Sequence, residues 1–206
     1  MKILRLSIMF ILTSFLVNCA SGYKLIEPKA INYVSTSKTD SITLEYKYDL
    51  LHKKYEKKEI KKGIKLVAIK VTNNSDKDIT FGRDVTLAFT NRTEMHIMEP
   101  EKTYKRLKQS PATHLLYLLL TPINFYTTST DSNGFTTNTS STPIGLVLGP
   151  ALAGGNMIAA SSANKKFKSE LLDNNIYGSV IKKGETKFGL IGIQSDGFES
   201  LQLNVK

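Results

Sequence analysis

A mainly β fold, an antiparallel β-sandwich of about seven or eight strands interrupted by a helical excursion, is the architecture that the sequence predicts. Apolar residues alternate with period two in a region before residue 100 and again after residue 173. Turn-forming clusters punctuate both regions about every ten residues. Between them lies a stretch of different character, rich in Ser, Thr, Gly and Ala. The length of 206 residues suits one domain, or one domain with a sizeable insertion. With 41% hydrophobic and 22% charged residues the chain can form a packed core.

The N-terminus stands apart from the fold. Lys2 and Arg5 precede the apolar run Leu6–Val17, and the run ends at Cys19, the single cysteine of the chain. Such a run is too short to span a bilayer and matches the core of a secretory signal. One thiol excludes an internal disulfide and any Cys-rich zinc site. Residues 1–18 are therefore expected to be a signal peptide and 19–22 a tether, with 23–206 forming one sandwich domain inserted at about 100–173. Cleavage would leave 206 − 18 = 188 residues, and losing Lys2 and Arg5 takes the formal charge from +10 to +8.

Leu16-Val17-Asn18-Cys19 resembles the lipobox of bacterial lipoproteins, which signal peptidase II cuts just before the cysteine. The resemblance implies a diacylglyceryl thioether on Cys19 and an acylated amino group. Asn18 departs from the usual Gly, Ala or Ser, a relaxation familiar from spirochaetes and Bacteroidetes. Ala20 and Ser21 lack the aspartate that retains enterobacterial lipoproteins at the inner membrane, so an outer-membrane destination is implied. One acyl chain binds a bilayer marginally, while two or more hold it stably.

The mature chain opens with an expected short strand between Tyr23 and Val34. Ile42, Leu44, Tyr46, Tyr48 and Leu50 then alternate with polar residues and describe a half-buried strand. Gly63–Val71 (GIKLVAIKV) is more continuously apolar and reads as a central strand. The cluster Asn73–Asp78 is a turn, its side chains suited to bonding nearby backbone. Val85, Leu87 and Phe89 alternate again, with a turn at Asn91-Arg92 and a strand from Glu94 to Met98. Three more strands are expected at Ile176–Ile181, Lys187–Ile193 and Ser200–Val205, separated by Lys182–Glu185 and Ser195–Gly197.

Val71–Lys77 (VTNNSDK) and Ile181–Ile191 (IKKGETKFGLI) resemble turn and strand-pair motifs of secreted immunoglobulin-like modules in bacterial lipoproteins. The resemblance covers about half of the mature chain and implies an immunoglobulin-like sandwich, without implying an activity. The absence of tryptophan and of a cysteine pair excludes antibody-type domains.

The insertion begins with a short basic helix at Thr103–Gln109 and an apolar run at Leu115–Leu120. Thr127–Thr142 holds eleven Ser/Thr in sixteen residues around Asn133-Gly134, so an exposed loop or hairpin tip is expected. Ile144–Ala163 is uncharged, with small residues at spacing four. Gly145, Gly149 and Ala153 form one series, and Ala151, Gly155 and Ala159 belong to another; either lets a second helix approach closely. Pro150 starts a helix more readily than it continues one. We therefore expect a helix from Pro150 packed on the sandwich, in preference to one entering a bilayer. The alternative is a membrane-active or self-associating protein using the Gly/Ala-rich segment at 144–163.

No sequence pattern points to an enzyme, a cofactor or a metal. His52, His96 and His114 are scattered, and HExxH, P-loop, GxSxG and dinucleotide motifs are absent. The sharpest charge feature is His52–Lys62, in which Lys53, Lys54, Lys57, Lys58, Lys61 and Lys62 accompany two glutamates. It reads as a solvated, helix-compatible connection; its functional reading is attraction to anionic headgroups or envelope polymer. Nucleic acid is a poor partner for an exported chain. The expectation is thus a non-enzymatic cell-envelope lipoprotein, bound to lipid through an acyl anchor and presenting a surface to an envelope protein or anionic polymer.

Overall fold

A computed structural model describes residues 19–90 and 95–206. The leader at 1–18, the turn at Asn91-Arg92 and the start of the strand expected from Glu94 lie outside the described residues. The chain divides into two compact units. One, the sheet body, comprises Tyr23–Lys108 and Ala163–Lys206; the other, the insert, comprises Gln109–Ser162 with residues 19–22.

Five strands of the sheet body form an antiparallel sheet in the order β1-β2-β3-β10-β6, made of β1 (Ser35–Thr39), β2 (Ile42–Lys47), β3 (Ile64–Asn73), β10 (Thr186–Gln194) and β6 (Ile97–Met98). A second sheet pairs β5 (Val85–Phe89) with β11 (Leu201–Val205), and β4 (Ile79–Thr80) pairs β9 (Val180–Ile181). Register places Glu45 opposite Lys70 across β2 and β3, where their side chains form an ion pair at 2.6 Å.

Beta strand β3 is apolar and buried from Leu66 to Ile69 because both its faces are covered there. Val67, Ile69 and Val71 join Ile42, Leu44, Val85, Leu87, Leu201 and Leu203 in one core. Ile64, Leu66 and Ala68 join a second core with Tyr55, Leu107, Phe167 and Leu171. These last four come from helices α1 (Lys54–Lys62), α2 (Pro100–Leu107) and α3 (Gly145–Asp173). Tyr23, Tyr55 and Phe167 meet there with ring centroids 5.0–5.2 Å apart.

Helix and strand thus hold similar shares of the described residues, and eleven strands replace the seven or eight expected; the mainly β expectation is corrected to a mixed fold of antiparallel sheets and helices. The excess strands are short or polar. Strand β1, with the sequence STSKT, has no apolar alternation and is formed by a tight turn in which Asp40 and Ser41 both have positive φ. The strand expected between Tyr23 and Val34 is replaced by a 3-10 turn at Pro28–Ala30, since proline removes a ladder donor. Ile176–Ile181 shrinks to Val180–Ile181.

The insert contains a 3-10 helix at Pro111–Leu120, a hairpin of β7 (Phe125–Thr130) with β8 (Thr136–Thr142), and the Gly145–Ser162 part of α3. Helix α3 starts five residues before Pro150 and runs through it. Proline there costs one helical hydrogen bond, because it has no N–H. The remainder, Ala163–Asp173, belongs to the sheet body.

Candidate functional site

Cys19 is exposed, and its Sγ lies 3.9 Å from the hydroxyl of Tyr117. The following residues are held within the insert by side chains that local sequence does not reveal. Ala20 N–H donates to Asn156 Oδ1 at 2.6 Å. Gln109 clamps Ser21 twice, accepting from its N–H at 3.1 Å and donating to its carbonyl at 2.6 Å. The tether is therefore a built part of the insert. Gln109, Tyr117 and Asn156 lie 88 to 136 residues from their partners, which is why motif reading missed them.

The two small-residue series of α3 have different surroundings. Gly145, Gly149 and Ala153 are buried, while Ala151, Gly155 and Ala159 are exposed. A Cβ on Gly145 would stand 2.1 Å from the carbonyl oxygen of Leu120, and one on Gly149 2.9 Å from Thr121 Oγ1. The first series thus brings the helix backbone against the end of the 3-10 helix. Gly155 has open space around it.

Five of the expected lysines lie on α1, and Lys53 precedes it with φ of 55°. Lys53, Lys57, Lys61 and Lys62 are exposed; Lys54 and Lys58 are half-buried. Lys58 Nζ donates to the carbonyl oxygen of Lys108 at 2.5 Å. Partial burial lowers the Lys58 pKa, and the cations of Lys62, Lys108 and Lys61 lower it further. Lys108 and Lys168 both stand 5.5 Å from the Tyr104 ring centroid, and Lys168 pairs with Glu101 at 2.8 Å. The lysines of α1 therefore belong to a larger basic cluster that includes α2 and α3. The lysines after Asn164 were the readable signal for it.

The sequence does not foreshadow the cavities of the sheet body. One of about 460 Å³ is lined by Leu25, Pro28, Lys29, Lys166, Glu170 and Asp173 among others. Glu170 is already occupied: it accepts from the Tyr23 hydroxyl and from Ile26 N–H. Burial raises the pKa of both Glu170 and Tyr23. Another, about 300 Å³, is lined by Thr86, His96 and Tyr177 among others, and the buried Thr86 hydroxyl has no hydrogen-bond partner among the described residues.

Among the described residues, no group of three or more His, Cys, Asp or Glu is placed to hold a metal. His52 and His96 are exposed, whereas His114 is buried and stacks on Tyr117 with ring centroids 6.1 Å apart. No family model, curated protein or solved structure matches the chain.

Proposed function

We propose that the protein is a non-enzymatic cell-envelope lipoprotein, held to the outer membrane by acyl chains on Cys19 and presenting its sheet body as a binding or structural module. The observation that carries this is the single thiol. It lies at the edge of an apolar leader in a lipobox-like sequence, and it is exposed at the head of a tether fixed by Gln109 and Asn156. In the sheet body, the large sheet and the β5–β11 pair share one core, an arrangement that supports an immunoglobulin-like sandwich covered by helices on its outer face. The partner is an envelope protein met by the Ser/Thr surface of the β7–β8 hairpin, or an anionic polymer met by the basic cluster around α1.

Metabolic labelling with radioactive palmitate tests the attachment. The wild-type protein should take up label and the Cys19→Ser variant should take up none. Unlabelled wild type, or label retained in the variant, overturns the reading.

A further inference from the structure

The insert is built inside out for a unit surrounded by water. Of its hydrophobic side chains, only Tyr117, Ala153 and Ala160 are buried among the described residues. Leu115, Leu116, Leu118 and Leu119 of the 3-10 helix are exposed, as are Leu146, Val147, Leu148, Leu152 and Ile158 of α3. Val147 and Ile158 reach 71% and 72% exposure. Small residues meet at the contact and large apolar ones face outward, which is the packing pattern of helices in lipid. Leu146, Val147 and Leu148 are consecutive, so they point about 100° apart. Apart from its packed stripe, Asn156 and the terminal Ser161-Ser162, the helix is therefore apolar round its circumference, as expected of a helix in hydrocarbon. In water this surface would be a large exposed apolar patch of the kind that marks a membrane or protein interaction.

Charge points to lipid. From Gln109 to Asn164 the sole formal charge is Asp131, in the hairpin turn. The chain enters this stretch after Lys105, Arg106 and Lys108 and leaves it into Lys165, Lys166 and Lys168. Within the sheet body these two points are close, because Lys108 and Lys168 share the ring of Tyr104 and Lys58 holds the Lys108 carbonyl. Cations therefore gather where the uncharged segment begins and ends, as lysines do beside anionic headgroups.

We infer that the helical pair of the insert, Pro111–Leu120 with Gly145–Ser162, lies in the hydrocarbon of one bilayer leaflet, with the basic cluster on anionic headgroups. This is a second attachment, made by the protein itself and independent of acylation. Its placement within a single leaflet does rest on acylation at Cys19. That residue sits beside Tyr117 and its neighbour Ala20 beside Asn156, midway along the pair, and the glyceryl group it would carry belongs at headgroup level. The β7–β8 hairpin stays among headgroups or water, because its outer strand edges would be unsatisfied in hydrocarbon.

Flotation with phosphatidylcholine–phosphatidylglycerol vesicles tests the inference, using residues 19–206 with Cys19→Ser so that no acyl chain is present. The protein should float with the vesicles and remain bound in high salt. Adding Leu119→Asp and Val147→Asp, both at exposed positions, should lower the bound fraction by about tenfold or more, with circular dichroism showing the fold retained. A chain that stays in the unbound fraction overturns the inference, as does equal flotation of the two proteins. A vesicle-free dimer that the aspartates dissolve also overturns it, by assigning the surface to a second copy. Failure of palmitate labelling is a separate result, which would remove the acyl anchor and the single-leaflet placement while leaving the flotation outcome intact.

Discussion

Glu59 on α1 shows how one side chain can make the sheet body sensitive to pH. Its carboxyl is buried and accepts from Leu66 N–H at 2.6 Å. Burial pushes its pKa up to about 7, against the opposing pull of that N–H and of Lys65. A folded-state pKa above the unfolded value means that folding favours the protonated form. The contribution is full below the ordinary carboxylate value and is lost as pH rises through about 7. Glu59→Gln keeps the acceptor for Leu66 and removes the buried charge. At pH 8 the variant should be more stable than wild type, by at most about 3 kcal/mol, and near pH 4.5 the two should converge. Urea unfolding across this range checks it; a constant difference at every pH would show that Glu59 has the same pKa in the folded and the unfolded chain. Asn73 has the complementary role. Fully buried, it donates to the carbonyls of Lys77 and Ile181 and accepts from Ser75, so one amide ties the turn after β3 to β9.

Among the elements, close approach at glycine decides how α2 meets β10. A Cβ on Gly192 would lie 2.2 Å from Thr103 Oγ1 and 2.7 Å from its Cγ2. Gly192→Ala should therefore push the helix off the sheet and destabilise the protein by about 1–3 kcal/mol. Adding Thr103→Ala removes both atoms and should recover part of the loss, which a double-mutant cycle in urea would measure. Purely additive effects would mean that the two residues do not meet. Such contacts are invisible to sequence reading, because Gly192 and Thr103 share no local pattern. What is legible follows the same physics: β2 and β11 alternate because one face is buried, and the centre of β3, Leu66–Ile69, is continuously apolar because both are. Strand β1 was missed because an edge strand of Ser, Thr and Lys carries no alternation, its pairing being set by the Asp40-Ser41 turn. The start of α3 escapes sequence reading because Pro150 reads as a beginning. One lost donor in the second turn is cheaper than ending a helix whose Gly145 and Gly149 already pack against Leu120 and Thr121. Of the candidate site, Cys19 and the lysines of α1 were readable, whereas the residues that hold the tether come from distant parts of the chain.

At the scale of the molecule, stability and surface are divided unequally. Both hydrophobic cores belong to the sheet body, so that unit should set the main unfolding transition. Every residue of the β7–β8 hairpin is exposed, and its strands pair only with each other. The hairpin is also closed at its base, where Gly145 N–H donates to the Ile123 carbonyl at 2.8 Å. Replacing residues 125–142 by a short Gly-Ser linker should therefore move the calorimetric midpoint by less than about 2 °C. A loss of several degrees would show that the hairpin supports the fold. With stability preserved, the same variant isolates the hairpin's role: crosslinking on intact cells should lose any envelope partner that the Ser/Thr surface recognises. Palmitate labelling and membrane retention should persist, since the acyl site and the helical pair both remain. A variant that folds and keeps every crosslink would move recognition away from the hairpin and onto the basic cluster around α1.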